Sequence, residues 1–183
     1  LPCRTWSAIR YHDIGPNGPR PLRDLNYPNG IPAGDGSIPP SVQEANTMVR
    51  HAVRIMRCAL AHHAFIIIES PVSRSAGSPF YIPGRESHAS FFTHPIMRTF
   101  TQDFGTQSIF FDQCQTGAMS MKTTELWTSR NIFNITAHYF AALRCLKKAC
   151  NQTTLLNQYC AESRNGFLSK KTEEYTPVMC RLL

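Results

Sequence analysis

The chain has 183 residues, 42% hydrophobic and 17% charged, which suits one domain with a sizeable core and excludes a disordered polyelectrolyte. No run approaches the ~18 apolar residues of a membrane span, and no basic-then-apolar leader is present, so an intracellular protein is expected. A net charge of +7, spread along the chain, favours polyanionic partners, nucleic acid first; the alternative is a merely basic, solvated surface.

Residues 11–40 concentrate turn-forming dipeptides (GPNGPRPLRD, YPNG, PAGDGSIPP) and read as a loop. Ser41 then caps a helix running to about His62. Val42, Ala45, Met48, Val49, Ala52, Val53, Met56 and Leu60 recur in it at helical spacing. AFIIIE follows, and residues 64–68 read as a strand buried on both faces, as in a parallel sheet. The next stretch, ESPVSRSAGSPFYIPGRES, is a long loop of the kind that is usually functional or mobile.

A weaker helix is expected over 93–103, around His94, Met97 and Phe100. A second buried strand, SIFFD, falls at 108–112, and a polar turn follows it. TTELWTS reads as a strand pairing back, and Asn131 to about Lys148 as a patterned helix. The expected domain spans 1–150, with 151–183 as a poorly patterned extension. The alternation of helix and strand predicts an α/β fold with a mostly parallel sheet, whose ligands sit in the loops after the strands.

The seven cysteines are irregularly spaced, so a disulfide framework is not indicated. Cys145, Cys150 and Cys160 lack paired C-x-x-C knuckles, and no metal is expected. Pro2-Cys3, with Arg4, Thr5 and Ser7 beside it, can hold a thiolate nucleophile if nearby arginines lower the thiol pKa; the alternative is an inert, buried cysteine. Glu69 ends an apolar run ahead of Ser-Pro. Desolvation there would raise its pKa and keep a proton available, unless the carboxylate is simply solvated. Lys122, after a Gly-containing turn, can reach a phosphate or a carboxylate, or can be a plain surface lysine. Arg74, in the loop after the first strand, is a further candidate contact to nucleic acid.

Taken in order, these segments resemble the cytosine-C5 DNA methyltransferases. LPCRTWS resembles the Pro-Cys motif, usually written PCQxFS, with Arg4 and Trp6 in place of Gln and Phe. IIIESP resembles the strand-end Glu-Asn-Val motif, with Glu69 retained and Ser70-Pro71 substituted. FFDQCQTGAMSMKTTELW resembles the strand-plus-GxPQxRxR segment: Asp112 and Gly117 fit, Lys122 takes the place of the first Arg, and Ser120 and Thr124 replace Gln and the second Arg. The variant wording is similar to divergent versions in phage and protist retroelements.

The resemblance implies a Rossmann-like methyltransferase-type fold in which a flipped cytosine is attacked at C6 by Cys3 while protonated Glu69 serves N3. Arg4, Ser7, Arg74 and Lys122 would contact substrate or nucleic acid. S-adenosylmethionine would be the cofactor of an active enzyme. The family's Gly-rich half for that cofactor would precede Leu1, so an isolated chain is expected to need a protein partner or a larger parent protein to methylate. The alternative is a non-catalytic nucleic-acid-binding or assembly subunit on a decayed methyltransferase fold.

Overall fold

The computed structural model describes residues 5–6, 20–118, 122–145, 162–163, 166–167 and 177–182. Among them the chain is a mixed helix-and-strand domain. Its elements are α1 (Pro40–Ala61), β1 (Ile67–Pro71), α2 (Pro95–Phe104), β2 (Gln107–Asp112), β3 (Thr123–Thr128) and α3 (Phe133–Phe140). A small hairpin of β4 (Glu162–Ser163) and β5 (Gly166–Phe167) and a terminal α4 (Pro177–Leu182) complete it.

Helix α1 buries Val42, Ala45, Val49, Val53 and Met56, the stripe that the 3–4 spacing marks out. Its start differs from the expected Ser41 cap. Pro39 is the cap and Pro40 the first helical residue, where a missing N–H costs nothing and the fixed φ suits the helix. The loop before it is stitched down locally: Asp24 Oδ1 accepts from the N–H groups of Asn26 and Tyr27, at 2.9 and 2.7 Å. Gly30, at φ +125°, lies so close to α1 that a Cβ there would stand 2.6 Å from Val42 Cγ1. Helix α2 is capped by the side chain of His94, whose Nδ1 accepts from Ile96 N–H at 3.3 Å.

The three longer strands form one sheet in the order β1-β3-β2, and β3 is antiparallel to both neighbours. This departs from the mostly parallel sheet expected from sequence: no parallel pair occurs among the described residues. The two apolar strands do run in the same direction, but they are separated by TTELWT, which enters between them reversed. The first strand also lies further along than expected, at Ile67–Pro71 rather than 64–68. Phe65 is 64% exposed, and Glu69 falls at the strand's centre rather than its end.

Residues facing each other across an antiparallel pair share a sheet face. Ile68 and Trp127 are such a pair, and they pack with α1, α2, Phe91 and Phe92. Leu126 and Ile109 pair on the opposite face, with Phe111, against Phe140 of α3 and Met179 of α4. Helices therefore cover both sheet faces, and Met179, 1% exposed, ties the unpatterned C-terminus into the second core. Helix α3 is shorter than the expected 131–148. The chain leaves it because Asp112 captures the next segment: Asp112 N–H donates to Leu143 O, and its Oδ2 accepts from Cys145 N–H, both at 2.8 Å.

Candidate functional site

Because β1 and β2 run in the same direction, their carboxyl ends meet the start of β3 at one end of the sheet: Pro71 stands opposite Thr124, and Asp112 opposite Thr123. Open α/β sheets place ligands at this end. The polar groups gathered there are ordered by specific bonds. Thr123 Oγ1 donates to Asp112 Oδ1 at 2.7 Å, Gln113 Nε2 donates to Thr124 Oγ1 at 3.0 Å, and Gln113 N–H donates to Lys122 O at 3.0 Å. Arg144 closes the side, with Nε 3.1 Å from Asp112 Oδ2.

Asp112, 2% exposed, thus serves a hydroxyl, a guanidinium and a backbone N–H at once. Asn in its place would aim an amide NH2 at some of these donors and remove the charge. Asp112→Asn is therefore expected to cost about 3 kcal/mol, since charge-assisted bonds are worth roughly 1.5–3 kcal/mol each when broken in a buried setting. Urea denaturation checks this; a midpoint within error of wild type would contradict it.

The loop after β1 is well ordered despite its length. Ser78 Oγ donates to Ser73 O at 2.7 Å, and Ala76 N–H donates to Glu86 O at 3.1 Å. Arg74 lies inside this loop, half-buried, with Nη1 donating to Phe80 O at 3.2 Å. The Phe80 ring packs against Phe110 with centroids 4.9 Å apart, and Arg144 stacks 5.2 Å above it. Burial, and then the neighbouring Arg85 charge, push the Arg74 pKa down, while Asp112 works in the opposite sense. This end of the sheet is thus a cationic neighbourhood built around one buried carboxylate.

Thr5 and Trp6 dock beside it. Trp6 is 4% exposed, edge-on to Phe91 at 5.4 Å, with the Arg23 guanidinium 4.2 Å from its ring centroid. Its carbonyl accepts a bond from His88 Nε2 at 3.0 Å, and His88 Nδ1 accepts from Arg74 N–H at 3.0 Å. His88 is fully buried, and burial pushes its pKa down to about 4.

Of the residues singled out in the sequence, Cys3, Arg4 and Ser7 lie outside the described residues. Glu69 is half-buried in mid-strand and paired in register with Leu126, on the sheet face that carries α3. Arg74 and Lys122 both sit at the carboxyl end of the sheet. Lys122, half-buried, has its carbonyl engaged by Gln113 N–H. The structure brings the Glu69 strand, Arg74 and Lys122 into one region. It adds Arg85, His88, Arg144 and Glu125, which no motif marked. Glu125 accepts from Ser108 Oγ and Trp127 Nε1 at 2.7 and 2.8 Å, and burial raises its pKa.

Among the described residues no group of His, Cys, Asp and Glu side chains could hold a metal ion, and no helix is long and apolar enough to cross a membrane. Glycines with positive φ occur at Gly30, Gly36, Gly84, Gly105 and Gly117, and none of them turns a strand end into a following α-helix. A cradle of the kind that the S-adenosylmethionine donor would need is therefore not formed by the described residues. No family model, curated protein or solved structure matches the chain.

Proposed function

We propose that the chain is the catalytic region of a cytosine-C5 DNA methyltransferase-like protein, holding a flipped cytosine at the carboxyl end of its sheet. The observation that carries this reading is the docking of Trp6. The residue three positions after Cys3 is buried, and its carbonyl is bonded to His88 of the loop that leaves β1 after Glu69. The Thr5–Trp6 end of that motif is thereby tied to the loop that follows the Glu69 strand, which supports the grouping of motifs that the resemblance implies. Lys122 opens β3, the strand beside Glu69.

The sheet is compatible with a Rossmann-like fold. β1 and β2 are codirectional, as the strands of a parallel sheet are, with β3 inserted between them in the reverse direction. Among the described residues β1 is paired along one edge only, with β3. A sheet extended along the other edge by a partner chain or by further sequence of a parent protein would protect it.

The chemistry of the chain's own residues is an addition. The Cys3 thiolate forms a C–S bond to C6, and the C5–C6 electron pair moves to C5. Glu69 bonds N3 and stabilises the charge that develops on the ring. Reversal of the addition breaks the C–S bond and returns the thiolate. The +7 charge and the arginines at the sheet end would engage phosphate.

A random-sequence duplex substituted with 5-azacytosine tests this reading, because a ring nitrogen at position 5 makes C6 electrophilic enough to trap a thiolate without any methyl donor. The expected result is a covalent complex stable on a denaturing gel. It should be lost in Cys3→Ala and slowed about 100-fold or more in Glu69→Gln, the usual worth of a positioned acid. Salt-dependent binding with no capture, with or without S-adenosylmethionine and co-purifying partners, would overturn the catalytic reading in favour of a non-catalytic nucleic-acid-binding subunit.

A further inference from the structure

His88 makes a long-range polar link, joining the loop after β1 to a residue 82 positions earlier. Its two ring nitrogens have fixed and opposite roles. Nδ1 faces the Arg74 N–H, which can only donate, so Nδ1 is bare. Nε2 faces the Trp6 carbonyl, which can only accept, so Nε2 carries the hydrogen. One neutral tautomer satisfies both partners, and no other protonation state of the ring does.

We infer that His88 is a positioning residue, a tautomer-locked tie that holds the Thr5–Trp6 segment against the loop leaving the Glu69 strand. The inference rests on the methyltransferase reading for what is being positioned, but the tie itself stands on the two bonds and on complete burial. Arg74 and Arg85 both bear on the ring as positive charges, and they reinforce its neutrality. On the far side of Trp6, the arginine over its ring and the edge-on contact with His94, at 6.4 Å, hold the indole but not its carbonyl. The Trp6 carbonyl is held by His88, while Thr5, the residue before it, is held by Arg23.

Two substitutions separate the two bonds. Asn places an oxygen where Nδ1 sits, so His88→Asn keeps the acceptor for Arg74 N–H but falls short of Trp6. Gln places an N–H near Nε2, so His88→Gln keeps the donor to Trp6. In a Trp127→Phe background Trp6 is the sole tryptophan, since the chain has two. Acrylamide quenching of its fluorescence then reports its release from the core. The expected result is several-fold stronger quenching in His88→Asn and near-parental quenching in His88→Gln.

Capture of 5-azacytosine duplex supplies the second readout. At saturating DNA, His88→Asn should react about 100-fold more slowly, the scale expected for a misplacement of about 1 Å, with the half-saturating DNA concentration unchanged. His88→Gln should recover most of the rate. Unchanged Trp6 quenching in folded His88→Asn would overturn the tie, and release of Trp6 with capture at the wild-type rate would overturn its positioning role. If the wild-type chain captures no cytosine, the methyltransferase reading fails on its own, while the quenching arm still decides whether His88 holds Trp6.

Discussion

Replacing Arg23 with alanine is expected to lower the unfolding free energy by about 3–5 kcal/mol, the cost of removing one partner from a buried charged network. Arg23 is 1% exposed, and its guanidinium donates in four directions. Nε donates to Thr5 Oγ1 at 3.2 Å, Nη1 to Pro28 O and Asn46 Oδ1 at 2.7 Å each, and Nη2 to Val42 O at 3.2 Å. The same plane lies over Trp6. Burial lowers its pKa only to about 10, so the group stays charged at neutral pH. Alanine would strip donors from buried and half-buried acceptors on three segments and leave a cavity under the indole. Lysine would not repair this, because one ammonium cannot match a planar fork spread over four acceptors; Arg23→Lys should retain less than half of the lost stability. Chemical denaturation of both variants measures the effect. A loss below about 1 kcal/mol in Arg23→Ala would show that the network is dispensable.

Arg23 also illustrates what the sequence did not reveal. It lies in a Pro/Gly-rich stretch that reads only as loop, and its partners are separated from it by up to 23 residues. Nothing in local periodicity marks such a residue. The helices were legible because their apolar positions repeat on one face: the residues that α1 buries are those its spacing selected. Strand pairing was legible in part: TTELWTS reads as a strand that pairs back, but its place between the two apolar strands was not marked. IIIES and SIFFD are apolar enough to read as parallel neighbours, whereas the strand between them, TTELWT, carries three threonines and a glutamate. Three of those four polar side chains have partners inside: Asp112, Gln113 and Ser108 serve Thr123, Thr124 and Glu125, while the buried Thr128 hydroxyl has none among the described residues. Satisfied polar groups hide a strand's central place from a hydrophobicity reading.

The candidate site divides along the same line. Arg74 and Lys122 could be found from their place near apolar runs, and chain order carries both to one end of the sheet, whereas Glu69 lies at mid-strand. His88, Arg85 and Arg144 act through contacts made only once the fold has formed, and Asp112 gained its structural role from Leu143 to Cys145, where a longer helix was expected. Thr5 and Trp6 are held by groups from three separate places: the 20–39 loop, the loop after β1, and the turn around Phe91. That arrangement couples the docking of Thr5 and Trp6 to the stability of the fold, and its sensitivity to pH follows from the buried imidazoles.

Acidification from pH 6.5 to about 4 is accordingly expected to remove a large share of the stability. His88 and His94, both essentially inaccessible, have pKa values pushed down from 6.5 to about 4, in each case first by burial. Nearby arginines add to this: Arg85 and Arg74 at His88, Arg23 and Arg50 at His94. In that window the unfolded chain binds a proton at each ring and the native chain does not. Stability is therefore complete above pH 6.5 and is lost progressively as pH falls towards the folded value, by on the order of 3 kcal/mol for each ring. Glu125 works against this trend. Its raised carboxyl pKa means the native state takes up a proton first, so its contribution grows as pH falls towards the unfolded carboxylate value of 4.5. The net slope between pH 6.5 and 5 should thus approach two protons, flattening below. Denaturation at a series of pH values measures it directly, and His94→Asn, which retains an acceptor for the α2 cap, should remove about one proton from the slope. A wild-type slope near zero would mean that the two rings protonate in place without disturbing their partners, which their bonds to Arg74 N–H and Ile96 N–H forbid.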